Sequence, residues 1–241
     1  MYKGLTVSVV IPCYNEEGGI PVVMADMPAL VDEVLIVDNN STDRTAEVAR
    51  ELGTRVVRET RQGYGAAYKA GFRNATCDIV VTMDGDGTYP RNFIPVLLDV
   101  LIEENLDFIS CDRTGHKAER SSFWRLFGNW VLSWVLTLLY GFHLRDSQSG
   151  MWVFHRSLLD RLVLSSDGMA LSEEIKIEAF TLEGVRAREL PIYYKPRVGE
   201  SKLNLWQDGF INLLFLVKRR FVRPSPAEYR IVTSSPRAAE D

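Results

Sequence analysis

The chain has 241 residues, enough for one large α/β domain with its own core. Hydrophobic residues make up 46% and charged residues 25%, as in an ordinary globular protein, and the net charge of -4 gives no basis for a nucleic-acid partner. Three widely spaced cysteines fit a reducing compartment and neither a disulfide framework nor a zinc site.

Strands and helices alternate five times along the first half of the chain. Apolar runs predict strands at 5–11, 33–37, 56–57, 79–83 and near 107–111, and helices follow within 18–30 and at 44–52, 64–73 and 92–104. This alternation predicts a mainly parallel, doubly wound sheet flanked by helices, whose ligands bind beyond the carboxyl ends of the strands. Pro12, Asp38, Asp84 and Asp112 follow such ends, so we expect them at one crevice.

The second half is less regular. Helical spacing predicts helices at 121–142, 172–182 and 203–222, and strands are expected at 151–154 and 186–194. From residue 223 the composition turns to proline, serine, alanine and charge, which predicts a disordered tail over 223–241. Residues 1–222 are therefore expected to form a single domain.

The most informative stretch is the acidic turn that follows the strand at 79–83. Asp84 and Asp86 are separated only by Gly85, and Pro90 suits the start of the next helix. Two carboxylates here repel one another unless a cation lies between them and an incoming anion, and carboxylate oxygens suit Mg²⁺ or Mn²⁺. The anion implied is a diphosphate. Asp and Gly are also common turn residues, so a plain turn explains this stretch equally well when it is taken alone.

Two other strand ends carry candidate ligand-binding groups. Asp38 and Asn39 offer acceptors for a base N–H or a ribose hydroxyl, although they could equally serve as a helix cap. Gly63, two residues before Gly65, could bring backbone N–H groups to a phosphate, and close helix packing is the alternative.

Four basic residues are candidates for holding phosphate groups. Arg197 and Lys202 flank a glycine-containing loop, where cations could stabilise a leaving diphosphate. Arg113 and Arg125 could hold a second anion. Each of the four could instead be a solvated surface charge.

The terminal helix at 203–222 predicts an interfacial element. Its apolar side chains lie on one side, and Lys218, Arg219 and Arg220 stand near its end, a combination that suits anionic lipid. Dimerisation would also explain the apolar face. The apolar runs at 130–142 and 210–217 are broken or too short to cross a bilayer, and no signal peptide is expected at the start.

Five motifs occur in a characteristic order between Val7 and Leu203. They are Pro12-x-Tyr14-Asn15-Glu16, Val37-Asp38-Asn39-x-Ser41-Thr42-Asp43, Asp84-Gly85-Asp86, Asp146-x-Gln148-Ser149-Gly150 and Arg197-x-x-Gly199-Glu200-Ser201-Lys202-Leu203. As an ordered set they resemble the inverting family 2 glycosyltransferases, and within them the polyprenyl-phosphate (dolichyl-phosphate) mannose or glucose synthases. Many relatives carry a second Asp in place of Asn39, and the mannose synthases commonly have Leu-Gln in place of Gly87-Thr88.

The resemblance implies a GT-A fold, with a nucleotide-sugar-binding half at 1–112 and an acceptor- or membrane-facing half at 113–222. It implies a nucleotide-diphosphate sugar donor, of GDP-mannose or UDP-glucose type, and Mg²⁺ or Mn²⁺ on Asp84 and Asp86. The implied nucleotide-sugar site comprises Pro12, Tyr14, Glu16, Val37, Asp38, Asn39, Gly63, Asp84, Gly85, Asp86 and Gln148. The implied catalytic groups that meet phosphates are Arg113, Arg197 and Lys202, to which Arg125 is added from its charge.

Three hypotheses on function follow. The first is transfer of a hexose to a polyprenyl phosphate at the cytoplasmic face of a membrane, by a peripheral enzyme that a membrane-spanning partner protein could anchor. The second is transfer to a sugar hydroxyl, which needs a carboxylate base from Asp146, Glu173 or Glu174. The third is a catalytically silent sugar-nucleotide-binding protein.

Overall fold

The computed structural model describes residues 1–114, 123–198, 205–222, 224–225 and 229–231. The strands are β1 (Val7–Cys13), β2 (Glu33–Asp38), β3 (Arg55–Arg58), β4 (Ile79–Thr82), β5 (Phe108–Asp112), β6 (Trp152–His155) and β7 (Ala187–Pro191). The α-helices are α1 (Gly19–Ala25), α2 (Thr45–Glu51), α3 (Tyr64–Asn74), α4 (Ile94–Glu103), α5 (Phe123–Tyr140), α6 (Leu171–Thr181) and α7 (Leu205–Phe221).

These strands form one sheet in the order β3-β2-β1-β4-β6-β5-β7. Neighbouring strands are parallel except at β6, which runs antiparallel to both β4 and β5. The mainly parallel, doubly wound sheet is therefore confirmed. The direction of β6 was not readable from its sequence, because a short apolar run looks the same in either direction.

Both faces of the sheet are covered by helices. On one face, α4 presents Ile94, Leu97, Leu98 and Leu101 at helical spacing and packs with α1 and α2 against β1 and β4. On the other face, α3 and α6 pack against the aromatic side chains Trp152 and Phe154 of β6 and against Phe108 of β5. Burial on both faces explains the almost continuous apolar sequences of β1 and β4.

A third, smaller cluster joins α5 and α7 to the rest of the domain. Leu132 and Leu136 of α5 meet Leu216 of α7, and Leu144 and Ile177 complete the cluster. The two helices therefore form a pair on one side of the sheet, in the half of the chain that was predicted to face an acceptor or a membrane.

Three residues of the predicted tail are packed on the domain. Arg230 forms an antiparallel bridge with Val163, and Ile231 is 3% exposed within the aromatic cluster. The composition of 223–241 predicted disorder, but residues 229–231 lie against the domain. Burial of Ile231 in the aromatic cluster, together with the bridge at Arg230, accounts for their position. The rest of the tail, apart from 224–225, lies outside the described residues.

Candidate active site

The parallel register brings several predicted site residues to one edge of the sheet. Pro12 pairs with Val37 and Cys13 pairs with Asp38, while Val10 pairs with Thr82 at the end of β4. The carboxyl ends of β1, β2 and β4 therefore open together, as the sequence predicted. This edge carries the acidic turn.

Asp86 is buried and held in one orientation by its neighbours. Its Oδ1 accepts hydrogen bonds from the backbone N–H (3.1 Å) and the hydroxyl (2.6 Å) of Thr88. Its Oδ2 lies 2.7 Å from Nη2 of Arg197 but accepts no aligned hydrogen bond from any residue that the structure describes. One carboxylate oxygen is thus fixed by the turn, and the other faces only an arginine cation.

Asp84 is only partly exposed and lies in an electrostatically unfavourable position. Burial and the negative charge of Asp86 raise its pKa to about 7, against the opposing effect of Arg113 and Arg197. The two arginines therefore act on the same carboxylate although they are 84 residues apart in sequence. The pair of acids is incompletely neutralised by these cations and fits an additional one.

Tyrosines form the wall behind Asp84. A Cβ at Gly150 would lie 2.1 Å from the Tyr64 hydroxyl and 3.3 Å from Oδ1 of Asp84, so only glycine fits here. The N–H of Gly150 donates to the Tyr89 hydroxyl (2.7 Å), and the Tyr68 hydroxyl donates to the Gly150 carbonyl (3.2 Å). Burial raises the pKa of all three tyrosines, so they remain protonated. Sequence reasoning missed them because they stand among core residues and carry no motif of their own.

Arg113 is positioned by Asp146. Its Nε and Nη2 donate to the two carboxylate oxygens of Asp146 at 2.7 and 2.9 Å, and its backbone N–H adds a third hydrogen bond. Its guanidinium also lies 5.4 Å from the centre of the Tyr194 ring. Burial opposes ionisation of Asp146, but attraction to Arg113 prevails and lowers its pKa to about 2. Asp146 is therefore an anchor for Arg113 and a poor base, contrary to its predicted alternative role.

Glu173 does not fit a general base either. It is fully buried, and its Oε1 accepts a hydrogen bond from Nε2 of Gln148 at 2.6 Å, while Oε2 finds no partner among the described residues. Burial raises its pKa well above the usual range, which disfavours the charged form that a general base requires. Gln148 in turn accepts a hydrogen bond from Asn212 of α7 at 2.9 Å. Gln148 thus links α6 to α7.

Glu174 is equally committed to the fold. Its two oxygens accept hydrogen bonds from the hydroxyl of Ser165 (2.6 Å) and the backbone N–H of Ser166 (2.8 Å), and Arg219 lies 3.6 Å away. Arg219 also pairs with Glu178 at 2.6 Å and is 7% exposed. Arg219 is therefore not available to the predicted basic cluster at the end of α7. It connects α7 to α6 instead.

Asn39 and Gly63 both have structural contacts that account for their presence. The Asn39 amide donates to the carbonyls of Glu59 (3.1 Å) and Arg61 (2.8 Å) and accepts from the N–H of Gly63 (2.8 Å), so its side chain braces a loop. A Cβ at Gly63 would lie 2.3 Å from the Asp167 carbonyl, which also accepts the N–H of Ala66 at the start of α3. Close packing therefore accounts for a glycine at this position, and its N–H is already bonded to Asn39.

The other residues that were predicted to bind a nucleotide lie at or just after the carboxyl ends of β1 and β2. Asp38 is 6% exposed and accepts the N–H of Ser41 at 3.0 Å, while the Val37 side chain is fully buried. Tyr14 is 38% exposed and Glu16 is half-buried. Pro12, at the end of β1, is half-buried too.

Two glycines allow the backbone near the acidic turn to pack closely, and two of the predicted cations remain to be placed. Gly85 and Gly19 allow close approach, since a Cβ at Gly85 would lie 2.7 Å from the Cys13 sulfur and one at Gly19 would lie 2.2 Å from the Gly85 carbonyl. The side chain of Arg125 and all of Lys202 lie outside the described residues.

The sheet order, with helices on both faces and an acidic turn at the carboxyl ends of the strands, is that of a glycosyltransferase. Residues 8–163 match the family model described as "Glycosyl transferase family 2", which covers more than half of the chain. The chain therefore belongs to the family 2 glycosyltransferases.

Two proteins of known name are similar in sequence to this chain over most of its length. The chain is 37% identical over 205 residues to a dolichyl-phosphate hexose transferase of Haloferax volcanii, covering 84% of this chain and 88% of that one. It is 33% identical over 220 residues to a low-salt glycan biosynthesis hexosyltransferase of the same organism, covering 88% of this chain and 53% of that one.

A solved structure confirms the fold. Glucosyl-3-phosphoglycerate synthase from Mycobacterium tuberculosis, in complex with Mn²⁺, UDP and phosphoglyceric acid, superimposes with a TM-score of 0.74 at 23% identity. The alignment covers 96% of this chain and 87% of that one. The predicted GT-A fold is confirmed.

Proposed function

We propose that this protein transfers a hexose, with inversion, from a nucleotide-diphosphate sugar to a polyprenyl phosphate. The observation that carries the proposal is that the three carboxylates predicted as candidate bases, Asp146, Glu173 and Glu174, are buried and hydrogen-bonded within the fold, whereas two arginines act on the acidic turn. A sugar hydroxyl needs a base near pH 7. A phosphate monoester, with a second pKa of about 6, is already an anionic nucleophile.

The donor would bind along the carboxyl ends of β1, β2 and β4. Pro12, Tyr14, Glu16 and Asp38 would hold the nucleoside, and the acidic turn would hold the ribose and diphosphate. Arg113, fixed by Asp146, is suited to an anion because it presents a rigid guanidinium on the same side as Asp84. Arg197 would meet the leaving diphosphate, with Lys202 and Arg125 as further cations.

The acidic turn fits a hard divalent ion such as Mg²⁺ or Mn²⁺. Asp84 and Asp86 supply carboxylate oxygens, and a cation beside them would offset the burial and the negative charge of Asp86 that raise the pKa of Asp84. The part of the chain that the structure describes contains no group of three or more His, Cys, Asp or Glu side chains suited to a metal, so the donor diphosphate and water would complete the shell. When bound, the ion would neutralise charge on the leaving diphosphate.

The acceptor lipid would reach the site from a membrane surface. Trp130, Trp134 and Leu138 of α5 and Phe210 and Phe221 of α7 are all more than half exposed. We call this the α5–α7 apolar face. A broad aromatic surface of this kind suits the boundary between headgroups and acyl chains.

The enzyme would sit peripherally on the cytoplasmic face, where sugar nucleotides are made, and a membrane-spanning protein could hold it there. Within the described helices, none is long and apolar enough to cross a membrane. Membrane contact would then rest on the α5–α7 apolar face and on any such partner.

One assay tests the proposal directly. The purified protein is incubated with a panel of radiolabelled sugar nucleotides, a short polyprenyl phosphate and Mg²⁺ or Mn²⁺, and label is followed into organic solvent. We expect one donor to give lipid-linked label, with an inverted anomeric bond by NMR. Label on a free sugar or glycan acceptor instead would indicate hydroxyl transfer, and donor binding without any product would indicate a silent binding protein.

A further inference from the structure

Arg197 stands at the oxygen of the acidic turn that a divalent ion would need. Its Nη2 is 2.7 Å from Oδ2 of Asp86, an oxygen that accepts no aligned hydrogen bond from the described residues. The other oxygen of Asp86 accepts two hydrogen bonds from Thr88. The contact between Arg197 and Oδ2 of Asp86 is therefore an ion pair held by charge.

The backbone around Arg197 is fixed independently of its side chain. The N–H of Lys195 donates to the Thr88 carbonyl at 2.8 Å, and the N–H of Val198 donates to the Asp86 carbonyl at 3.0 Å. These two bonds hold the segment against the acidic turn on either side of Arg197. The guanidinium, which is about a quarter exposed, can therefore change partner without moving the loop.

We propose that Arg197 is the resident counter-ion of the acidic turn and that it enforces joint loading of metal and nucleotide. This inference rests on the metal site in the proposed function. Before the nucleotide arrives, Arg197 neutralises Asp86 and competes with a divalent ion for Oδ2. A bound diphosphate offers oxygens to which the guanidinium can donate aligned hydrogen bonds, and the arginine then releases Asp86 to the metal.

The physical basis is that two cations repel strongly within a few ångströms of one carboxylate oxygen. The effective dielectric constant near a protein surface is well below that of water, so this repulsion is only partly screened. A planar guanidinium binds phosphate oxygens through paired N–H groups, and that geometry is better than its present contact with Asp86. Arg197 is thus suited to weaken binding of the metal when no nucleotide is present and to strengthen binding of the metal together with the nucleotide.

The test measures Mn²⁺ binding rather than turnover. Free Mn²⁺ is followed by electron paramagnetic resonance in titrations of the full chain, without nucleotide and then with GDP or UDP. The variants are Arg197→Gln, which removes the charge, Arg197→Lys, which retains it, and Arg188→Gln, a matched control at an exposed arginine paired with Glu104. Thermal melting checks that each variant is folded.

We expect Arg197→Gln to bind Mn²⁺ alone at least about fivefold more tightly than the unmodified protein, and to bind the nucleoside diphosphate with Mn²⁺ about tenfold more weakly. Arg197→Lys should remain close to the unmodified protein in the first titration, and Arg188→Gln in both. Unchanged or weaker binding of Mn²⁺ alone by a folded Arg197→Gln protein would overturn the inference and leave the metal site standing. If no variant binds Mn²⁺ even with nucleotide, the metal site itself is wrong and the inference falls with it.

Discussion

At the scale of single residues, the same side-chain type serves opposite purposes because its surroundings differ. Asp146 is buried against a bidentate arginine and is ionised with a pKa of about 2, whereas Asp84 is half-buried beside another acid and has a pKa of about 7. One carboxylate is stable in the folded protein as it stands. The other becomes stable in its charged form only when another cation arrives.

Asp86 is the residue whose loss should affect catalysis most. Asp86→Ala removes one of the two carboxylates that would hold the metal, so we expect turnover with Mg²⁺ or Mn²⁺ to fall by about 10²- to 10³-fold or more, the loss seen when one charge-stabilising group is removed. The measurement is the lipid-partition assay, with Asp99→Ala, which changes an exposed acid paired with Lys3, as the control. An undiminished rate for Asp86→Ala would reject the metal role.

Asp84 should make metal binding depend on pH. Its folded pKa of about 7 lies above the ordinary value of 3.8, so the metal-free protein is stabilised at low pH and loses that stability as the pH rises towards 7. A metal must displace the proton. We therefore expect the affinity for Mn²⁺ to rise by up to about tenfold per pH unit below pH 7 and to level off above it.

Calorimetry of Mn²⁺ binding with nucleoside diphosphate, in buffers of different ionisation enthalpy, measures this proton release. Asp84→Asn should bind the metal weakly and without the pH dependence. A flat affinity from pH 5.5 to 8 in the unmodified protein would contradict the assignment.

At the scale of elements, α6 places in the interior the two acids that the sequence offered as candidate bases. Glu173 and Glu174 stand in its first turn, as expected for acids near a helix N-terminus, but both are fully buried. Glu173 meets Gln148 and, through it, Asn212 of α7. These contacts connect the helix pair that bears the apolar face to the turn that also carries Asp146.

Glu173→Gln distinguishes this structural role from catalysis by a base. Because burial disfavours the charged form of Glu173, an uncharged amide should replace it without disturbing its surroundings, and we expect activity to stay within about twofold. Replacing a general base would instead lower activity by orders of magnitude. The variant should also be less sensitive to pH. In the unmodified protein the raised pKa means that stability falls as the pH rises above the ordinary value of 4.5, by up to about 1.4 kcal/mol per pH unit.

Chemical denaturation at pH 5 and pH 8 measures that difference. Glu183→Gln, an exposed acid just after the same helix, is the control and should leave both activity and the pH dependence unchanged. Loss of turnover in Glu173→Gln alone, with stability retained, would return Glu173 to the list of bases.

At the scale of the whole molecule, the side of the domain formed by α5 and α7 exposes many large apolar side chains. The α5–α7 apolar face is continuous from the contact between Trp124 and Trp206, whose rings lie 5.7 Å apart, to Phe221 at the end of α7. Isolated exposed apolar side chains need no explanation, but a surface of this length marks a place where another surface binds.

Trp130→Ser with Trp134→Ser tests whether that surface is lipid. Burying a large apolar side chain is worth about 1.5–3 kcal/mol, so the double variant should lose at least about tenfold in partition to vesicles that contain anionic phospholipid, measured by flotation. Leu52→Ser, a single exposed apolar residue on α2's side of the molecule, is the control and should float like the unmodified protein. If the unmodified protein sediments as a dimer that the double variant disrupts, and neither floats, the face is a subunit interface instead.

The sequence by itself determined the alternation of strands and helices, the crevice at the strand ends and the acidic turn, because these depend on local periodicity and on short runs of residues. It also determined the family, through five motifs in order. Tertiary structure alone decided the direction of β6, the docking of Ile231, and which candidate residues are committed to the fold. Asn39, Asp146 and Glu173 all looked available in the sequence. Glu59, Arg113 and Gln148, which bond to these side chains, stand 20, 33 and 25 residues away, and no local pattern encodes which polar group a buried side chain will meet.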